Sequence, residues 1–267
     1  MREKNIQKIA RDVIQFEIGA LKNLKNNIKG SFFSLIKTIL NCKNGRVIIS
    51  GVGKSGIIAR KWAATFSSTG TPAFFLDASS ASHGDMGQIT SNDVVILISN
   101  SGQSQELKNI IQYCSRNKNI KLIGITSKKD SILFKNSDTA FLMPNIREAG
   151  PENIVPTSST TAQLALGDSI AISCMKFKKF TKLDFKRVHP SGSLSIKLRT
   201  VGELMVTGKK LPILNENIKM KKAIRTITKK KLGVLVVRKS NGNTSGIITD
   251  GDIKRIAQKY SNFDNLE

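Results

Sequence analysis

Five short, mostly apolar runs recur through the first half of the chain: 46–49 (RVII), 73–76 (AFFL), 94–98 (VVILI), 122–125 (LIGI) and 139–142 (TAFL). Runs of this length without polar alternation are what strands buried on both faces look like, as in a parallel sheet. Between them, 56–68, 106–116 and 131–136 carry helical spacing. Strand alternating with helix predicts an α/β domain built on a five-stranded parallel sheet flanked by helices, with right-handed crossovers. Two helices should precede the sheet. The first, 5–29, places Ile6, Ile9, Val13, Ile14, Leu21, Leu24 and Ile28 at helical spacing, and the second covers 31–41. A long helix is expected at 160–177. The texture changes near 197–202. From there the chain reads as a short strand, a helix at 219–230, a strand at 234–238, an Asn241–Gly242 turn, a strand at 246–249 and a helix from Asp252. An Asn-Gly pair between apolar runs is a strong hairpin signal. The expected organisation is therefore an α/β domain over 1–199, including the N-terminal helices, and a small α+β module over 200–267.

Composition narrows the function. The three cysteines (Cys42, Cys114, Cys174) are far apart with no CxxC spacing, which argues against a disulfide scaffold or a zinc ribbon and fits a reducing compartment. The first residues show no secretory signal, and no stretch approaches the ~18 apolar residues of a membrane span. The expected location is cytoplasmic. The net charge of +24 comes from 43 basic and 19 acidic residues, with Arg supplying only 11 of the 43. A Lys-, Asn- and Ile-rich mix is what an AT-rich coding sequence puts on solvated faces. The field attracts anions in general, phosphorylated metabolites included. One tryptophan and two tyrosines offer little for base stacking, so no specific nucleic-acid partner is expected.

Two loops carry the chemistry. Residues 47–56 (VIISGVGKSG) run from a strand through a glycine-rich turn into a helix, a form that presents backbone N–H groups to an anion. A Walker A loop is excluded by spacing: with Gly53-Lys54-Ser55 as its GKS, position 48 would have to be glycine, and it is Ile48. The second loop, 98–106 (ISNSGQSQE), clusters Ser99, Asn100, Ser101 and Ser104 where a buried strand meets a helix. Ligands of open α/β sheets bind at the carboxyl ends of strands. One serine there would be an ordinary helix cap, whereas three with Gly102 are more than capping needs.

IISGVGKSG together with SNSGQSQE resembles the sugar-isomerase (SIS) domain. The segments 63–72 (AATFSSTGTP), 81–89 (ASHGDMGQI), 156–168 (PTSSTTAQLALGD) and 189–194 (HPSGSL) narrow the resemblance to the arabinose-5-phosphate isomerase family. The segment ending GIITDGDIKR resembles a single CBS module, where relatives usually carry two in tandem, so 200–267 reads as an incomplete tandem. The resemblance implies the SIS fold. It also implies an aldose–ketose isomerase that converts D-ribulose 5-phosphate to D-arabinose 5-phosphate through an enediol, the first step toward Kdo for lipopolysaccharide or capsule. No cofactor is implied. Lys54, Glu106, Glu148, His83 and His189 match family catalytic positions. Ser55, Gly70, Thr71, His83, Ser99, Asn100, Ser101, Ser104, Thr157, Ser158, Ser159 and Thr160 match substrate contacts. Either glutamate can serve as the base. The resemblance further implies a homotetramer whose sites are shared through His83, with a nucleotide as a candidate ligand of the CBS module.

This chain departs from relatives at two positions. Gln103 stands where Glu is common, and Asp77 stands where His is frequent and has been implicated in zinc binding, so no metal site is carried over. The competing reading is a phosphosugar-sensing regulator. Such a protein usually adds a helix-turn-helix segment, which is not found, and has no need of both glutamates and both histidines.

Overall fold

The computed structural model describes residues 3–190 and 199–260; the part of the HPSGSL segment from Ser191 onward therefore lies outside the described residues. The chain divides into two units, Met1–Leu198 and Arg199–Glu267.

In the first unit, α1 (Glu3–Asn27) and α2 (Gly30–Leu40) lead into β1 (Val47–Gly51), α3 (Lys54–Ser68), β2 (Ala73–Phe75), α4 (Ala78–Ala81) and β3 (Val94–Ile98). Then follow α5 (Gln105–Arg116), β4 (Lys121–Thr126), α6 (Ile132–Asn136), β5 (Thr139–Leu142), α7 (Ser158–Phe177) and α8 (Lys182–Val188). All five strands are parallel, in the order β2-β1-β3-β4-β5. Every residue of β1 and β3 is buried, as continuous apolar runs require of a sheet covered on both faces. One face packs Val47, Ile49, Ile96 and Ile98 against Trp62 and Phe66 of α3 and Leu166 and Ile170 of α7. The other packs Ile48, Val95 and Leu97 against Leu107 and Ile110 of α5 and Ala78 and Ala81 of α4. Gly167 is where α7 meets α3: a Cβ there would lie 2.0 Å from Trp62 Nε1.

Because β2 and β3 lie on opposite sides of β1, the crossovers after β1 and β3 leave in opposite directions. The register pairs Gly51 with Ile98, so the loops after these two strands are neighbours. Strand order reverses here, and at such a switch point a parallel sheet opens a crevice at its carboxyl edge.

The second unit holds α9 (Val201–Leu204), β6 (Ile213–Asn215), α10 (Met220–Lys230), β7 (Val234–Arg238), β8 (Thr244–Thr249) and α11 (Asp250–Lys259). β6 pairs parallel and β8 antiparallel with β7. Ala223 and Ile227 of α10 pack on Leu235 in a small core of their own.

Candidate active site

At the end of β1 the chain turns so tightly that a Cβ on Gly51 would meet the Ser55 backbone at 2.9 Å and the Ile98 carbonyl at 3.0 Å. The turn delivers Lys54 and Ser55 as the first residues of α3, whose leading N–H groups have no intrahelical acceptor. Lys54 is exposed, and its ammonium has no ion pair or hydrogen bond to a described residue. Ser55 Oγ donates to Gln163 Oε1 at 3.3 Å, and Trp62 Nε1 donates to the Gln163 carbonyl at 3.0 Å. Gln163, buried on α7, thus ties the loop to the helix behind it. Sequence reading did not single it out, although it lies within the 156–168 segment that carries the resemblance.

The serine loop sits beside this turn. Ser99 is buried; its Oγ accepts the Gly102 N–H at 3.0 Å and lies 3.0 Å from Ser104 Oγ. Gly102 has φ +64°, and a Cβ on it would fall 2.3 Å from Ser131 Oγ, so only glycine fits. Ser101 is exposed, with Oγ accepting the Gln103 N–H at 3.3 Å. The Asn100 carbonyl accepts from Ser127 N–H and Oγ at 3.1 and 2.8 Å, and Asn100 itself is exposed. Ser104 caps α5 without a side-chain cap bond. Glu106, in the first turn of that helix, is exposed and has no described partner.

The loop after β5 returns to the same edge, where Met143 N–H bonds the Thr126 carbonyl. It brings Glu148, buried, to the N-terminus of α7. Glu148 Oε2 accepts the Thr157 N–H at 2.8 Å, Thr157 Oγ1 at 3.2 Å and the Ser159 N–H at 3.1 Å. The Ala149 N–H donates to Thr157 Oγ1 at 2.9 Å, and the Glu148 N–H donates to Asn153 Oδ1. Burial pushes the Glu148 carboxyl up, but the bonds from Ser159 and Thr157 together outweigh burial and hold it below the usual carboxylate range. The site therefore contains one carboxylate fixed in its charged form and one, Glu106, free in solvent. Of the remaining hydroxyls in this run, Thr160 Oγ1 donates to the Thr157 carbonyl at 2.8 Å, inside the first turn of α7. Ser158 Oγ is buried with no hydrogen-bond partner.

His83 follows α4, exposed, with its backbone N–H on the Ser80 carbonyl at 2.9 Å and its ring without a described partner. His189 closes α8. Its ring stacks on Phe185 at 3.9 Å, and Nδ1 lies 3.0 Å from the Phe185 carbonyl. A carbonyl only accepts, so Nδ1 carries the proton and a neutral ring keeps its lone pair on Nε2.

Three expected positions are not gathered here within the subunit. α3 is 15 residues long, so it carries the chain about 22 Å back to the amino edge, where Gly70 and Thr71 precede β2. Both are already engaged. Phe180 covers Gly70, so that a Cβ there would meet its ring at 2.2 Å, and Lys178 Nζ donates to the buried Thr71 Oγ1 at 2.9 Å. Within the subunit they therefore stand apart from the loops after β1 and β3. α7 ends at the same edge and α8 starts from it, so His189 makes no described contact with the loops that hold the glutamates. Among the described residues of one subunit there is no group of three or more His, Cys, Asp or Glu side chains placed to hold a metal ion. Asp77 instead caps α4, its Oδ1 accepting the Ser79 and Ser80 N–H groups at 3.0 and 3.1 Å.

The arrangement can bind a phosphate between two helix N-termini and hold a carboxylate and a lysine beside it. Comparison with known proteins agrees in kind. Residues 39–173 match the SIS domain model and residues 201–259 the CBS domain model. The chain is 44% identical over 255 residues to arabinose 5-phosphate isomerase KdsD of Francisella tularensis, covering 94% of this chain and 77% of that protein. It is 43% identical over 251 residues to an uncharacterised protein of Rickettsia prowazekii, covering 94% of this chain and 78% of that one. A solved Escherichia coli structure, in complex with arabinose 5-phosphate, superposes with a TM-score of 0.68 at 38% identity, covering 71% of this chain and all of that one.

Proposed function

The chain belongs to the SIS-domain arabinose 5-phosphate isomerase family, and from that premise we propose that it interconverts D-ribulose 5-phosphate and D-arabinose 5-phosphate through an enediol. The observation that carries this reading is the meeting, at one switch point, of two phosphate-suited helix N-termini with Lys54, Glu106 and Glu148. The sugar phosphate is held by Ser55, Ser99, Asn100, Ser101 and Ser104 with the leading N–H groups of α3 and α5. The helix dipole adds about 0.3–1 kcal/mol per terminus. That anchor sets C1 and C2 beside the carboxylates, and Lys54 neutralises the developing enediolate oxygen.

Moving the proton between C1 and C2 requires a base whose proton affinity is matched to the task. Glu148 is held ionised by its donors, and the same bonds weaken it as a base. Glu106 has no such donors and takes the transfer, while Glu148 keeps a fixed negative charge at the rim of α7. Neutralising the base lowers kcat with little change in KM, by about 10²-fold or more for a positioned general base.

His83 opens the sugar ring. Its exposure favours reaching into a neighbouring subunit, and His189, left by its own subunit away from the glutamates, is supplied across the same interface. The protein is on this reading a homotetramer with shared sites, acting in the cytoplasm in the first step of Kdo synthesis; among the described residues no helix is long and apolar enough to cross a membrane. The two domains are 1–199 and 200–267, and the CBS module is the place for a nucleotide. The test is incubation with ribulose 5-phosphate. Appearance of arabinose 5-phosphate supports the enzyme, and saturable binding without turnover supports a phosphosugar sensor instead.

A further inference from the structure

We propose that Asp77 and Asn109 are positioning residues for His83, a role that rests on the ring-opening function given to that histidine above. The loop bearing His83 is tied at both ends of α4. At the front, Asp77 Oδ1 accepts two N–H groups of the helix's first turn. At the back, Asn109 Nδ2 donates to Ser82 Oγ at 2.8 Å, and the Ser80 carbonyl accepts the His83 N–H. Asn109 lies one turn beyond Glu106 on α5, three residues on and therefore on the same face. Between the two ties, Ala78 and Ala81 are buried against Leu107, Ile110 and Ile111. Small residues bring α4 close to α5 but have no shape to fix its rotation. The two polar ties supply that fixing and hold the His83 loop in one orientation on α5, from which His83 projects into solvent toward the neighbouring subunit's site. Asp77 therefore acts here as a helix cap, through its oxygen and not through its charge.

The chemistry allows a selective test. Ribulose 5-phosphate has its O5 phosphorylated and cannot close a furanose onto C2, so it enters the site open. Arabinose 5-phosphate closes through O4 and must be opened. Loss of His83 positioning should therefore slow consumption of the aldose and spare exchange of the C1 hydrogen of the ketose with D₂O. Asp77→Ala and Asn109→Ala are each expected to lower aldose turnover about fivefold, the worth of a cap or a single hydrogen bond, with ketose exchange unchanged within about twofold. Asp77→Asn keeps an N-cap oxygen, and Asn109→Asp can still accept from the Ser82 hydroxyl, so both should retain parental turnover. With only two histidines in the chain, the imidazole Hε1 spectrum offers a second readout: Asn109→Ala should move the His83 signal and leave that of His189.

Parental aldose turnover in both alanine variants, or an equal fall in ketose exchange, overturns the positioning role. If His83→Ala itself leaves aldose turnover intact in an active enzyme, the ring-opening assignment falls and the positioning role with it. An unmodified protein without isomerase activity overturns the functional reading as a whole.

Discussion

Removing the Glu148 carboxylate should destabilise the first unit by an amount that can be worked from its bonds. Oε2 accepts two backbone N–H groups and one hydroxyl at the N-terminus of α7. Glu148→Ala leaves those two N–H groups, on Thr157 and Ser159, without their acceptor at about 1–3 kcal/mol each, so the loss should be roughly 2–6 kcal/mol. Glu148→Gln keeps an acceptor but not the charge. Charged hydrogen bonds exceed neutral ones by roughly 1 kcal/mol, and a charge at a helix N-terminus adds up to about 1 kcal/mol, so the loss should be about 1–3 kcal/mol. Glu106→Gln, exposed and unpartnered, should stay within about 0.5 kcal/mol. The assay is urea unfolding followed by the fluorescence of Trp62, the single tryptophan, fully buried between α3 and α7. The pH dependence has a definite sign. The folded carboxyl sits below its ordinary value, so its contribution is complete above the unfolded value, about 4.3, and is lost as pH falls through the folded one. The gap between parent and Glu148→Gln should therefore shrink on acidification below about pH 4. A Glu148→Ala variant with the parental urea midpoint, or a gap that does not close with acid, would refute this account of the loop.

Gly102→Ala should abolish sugar-phosphate binding while the fold persists, because a side chain at φ +64° collides with Ser131 and displaces the serine loop; calorimetric titration with substrate checks it, and retained affinity contradicts it. Ser50 Oγ is buried without a partner, so Ser50→Ala should be neutral or stabilising by up to about 1 kcal/mol, and a clear loss in the Trp62 unfolding curve would show a partner the hydroxyl needs. Burial pushes the Cys114 thiol up to about 12 and the Cys174 thiol up to about 11. At pH 8 neither should react with a disulfide reagent until urea is added, and rapid labelling of either in the native protein counts against the core packing described here.

The sheet is legible in the sequence because a doubly covered strand leaves a continuous apolar run. The runs 94–98 and 139–142 coincide with β3 and β5, and the other three differ from their strands by a residue or two. Helix starts are less so: α3 begins at Lys54 because Gly53 at φ +56° ends the turn, which a pattern of apolar spacing does not see. α4 and α8, at four and seven residues, are too short for periodicity to register. The serine loop and Glu106 are readable because function there is contiguous in sequence. The bonding of Glu148 is not, since it depends on a loop closing from 148 to 157. Gly70 and Thr71 show the converse. They stand in a motif of the right texture, but the length of α3 puts them at the opposite edge of the sheet, a fact of topology and not of local pattern. Asp77, where the resemblance raised a metal, has the local logic of an N-cap before Ser79 and Ser80.

The central claim is that this site passes a proton between C1 and C2 of a pentose 5-phosphate. The most direct measurement follows ribulose 5-phosphate in D₂O with the whole protein by NMR. Turnover should yield arabinose 5-phosphate carrying deuterium at C2, with the rate falling at least about 10²-fold in Glu106→Gln. Absence of the aldose, or its formation at the parental rate in Glu106→Gln, would contradict it.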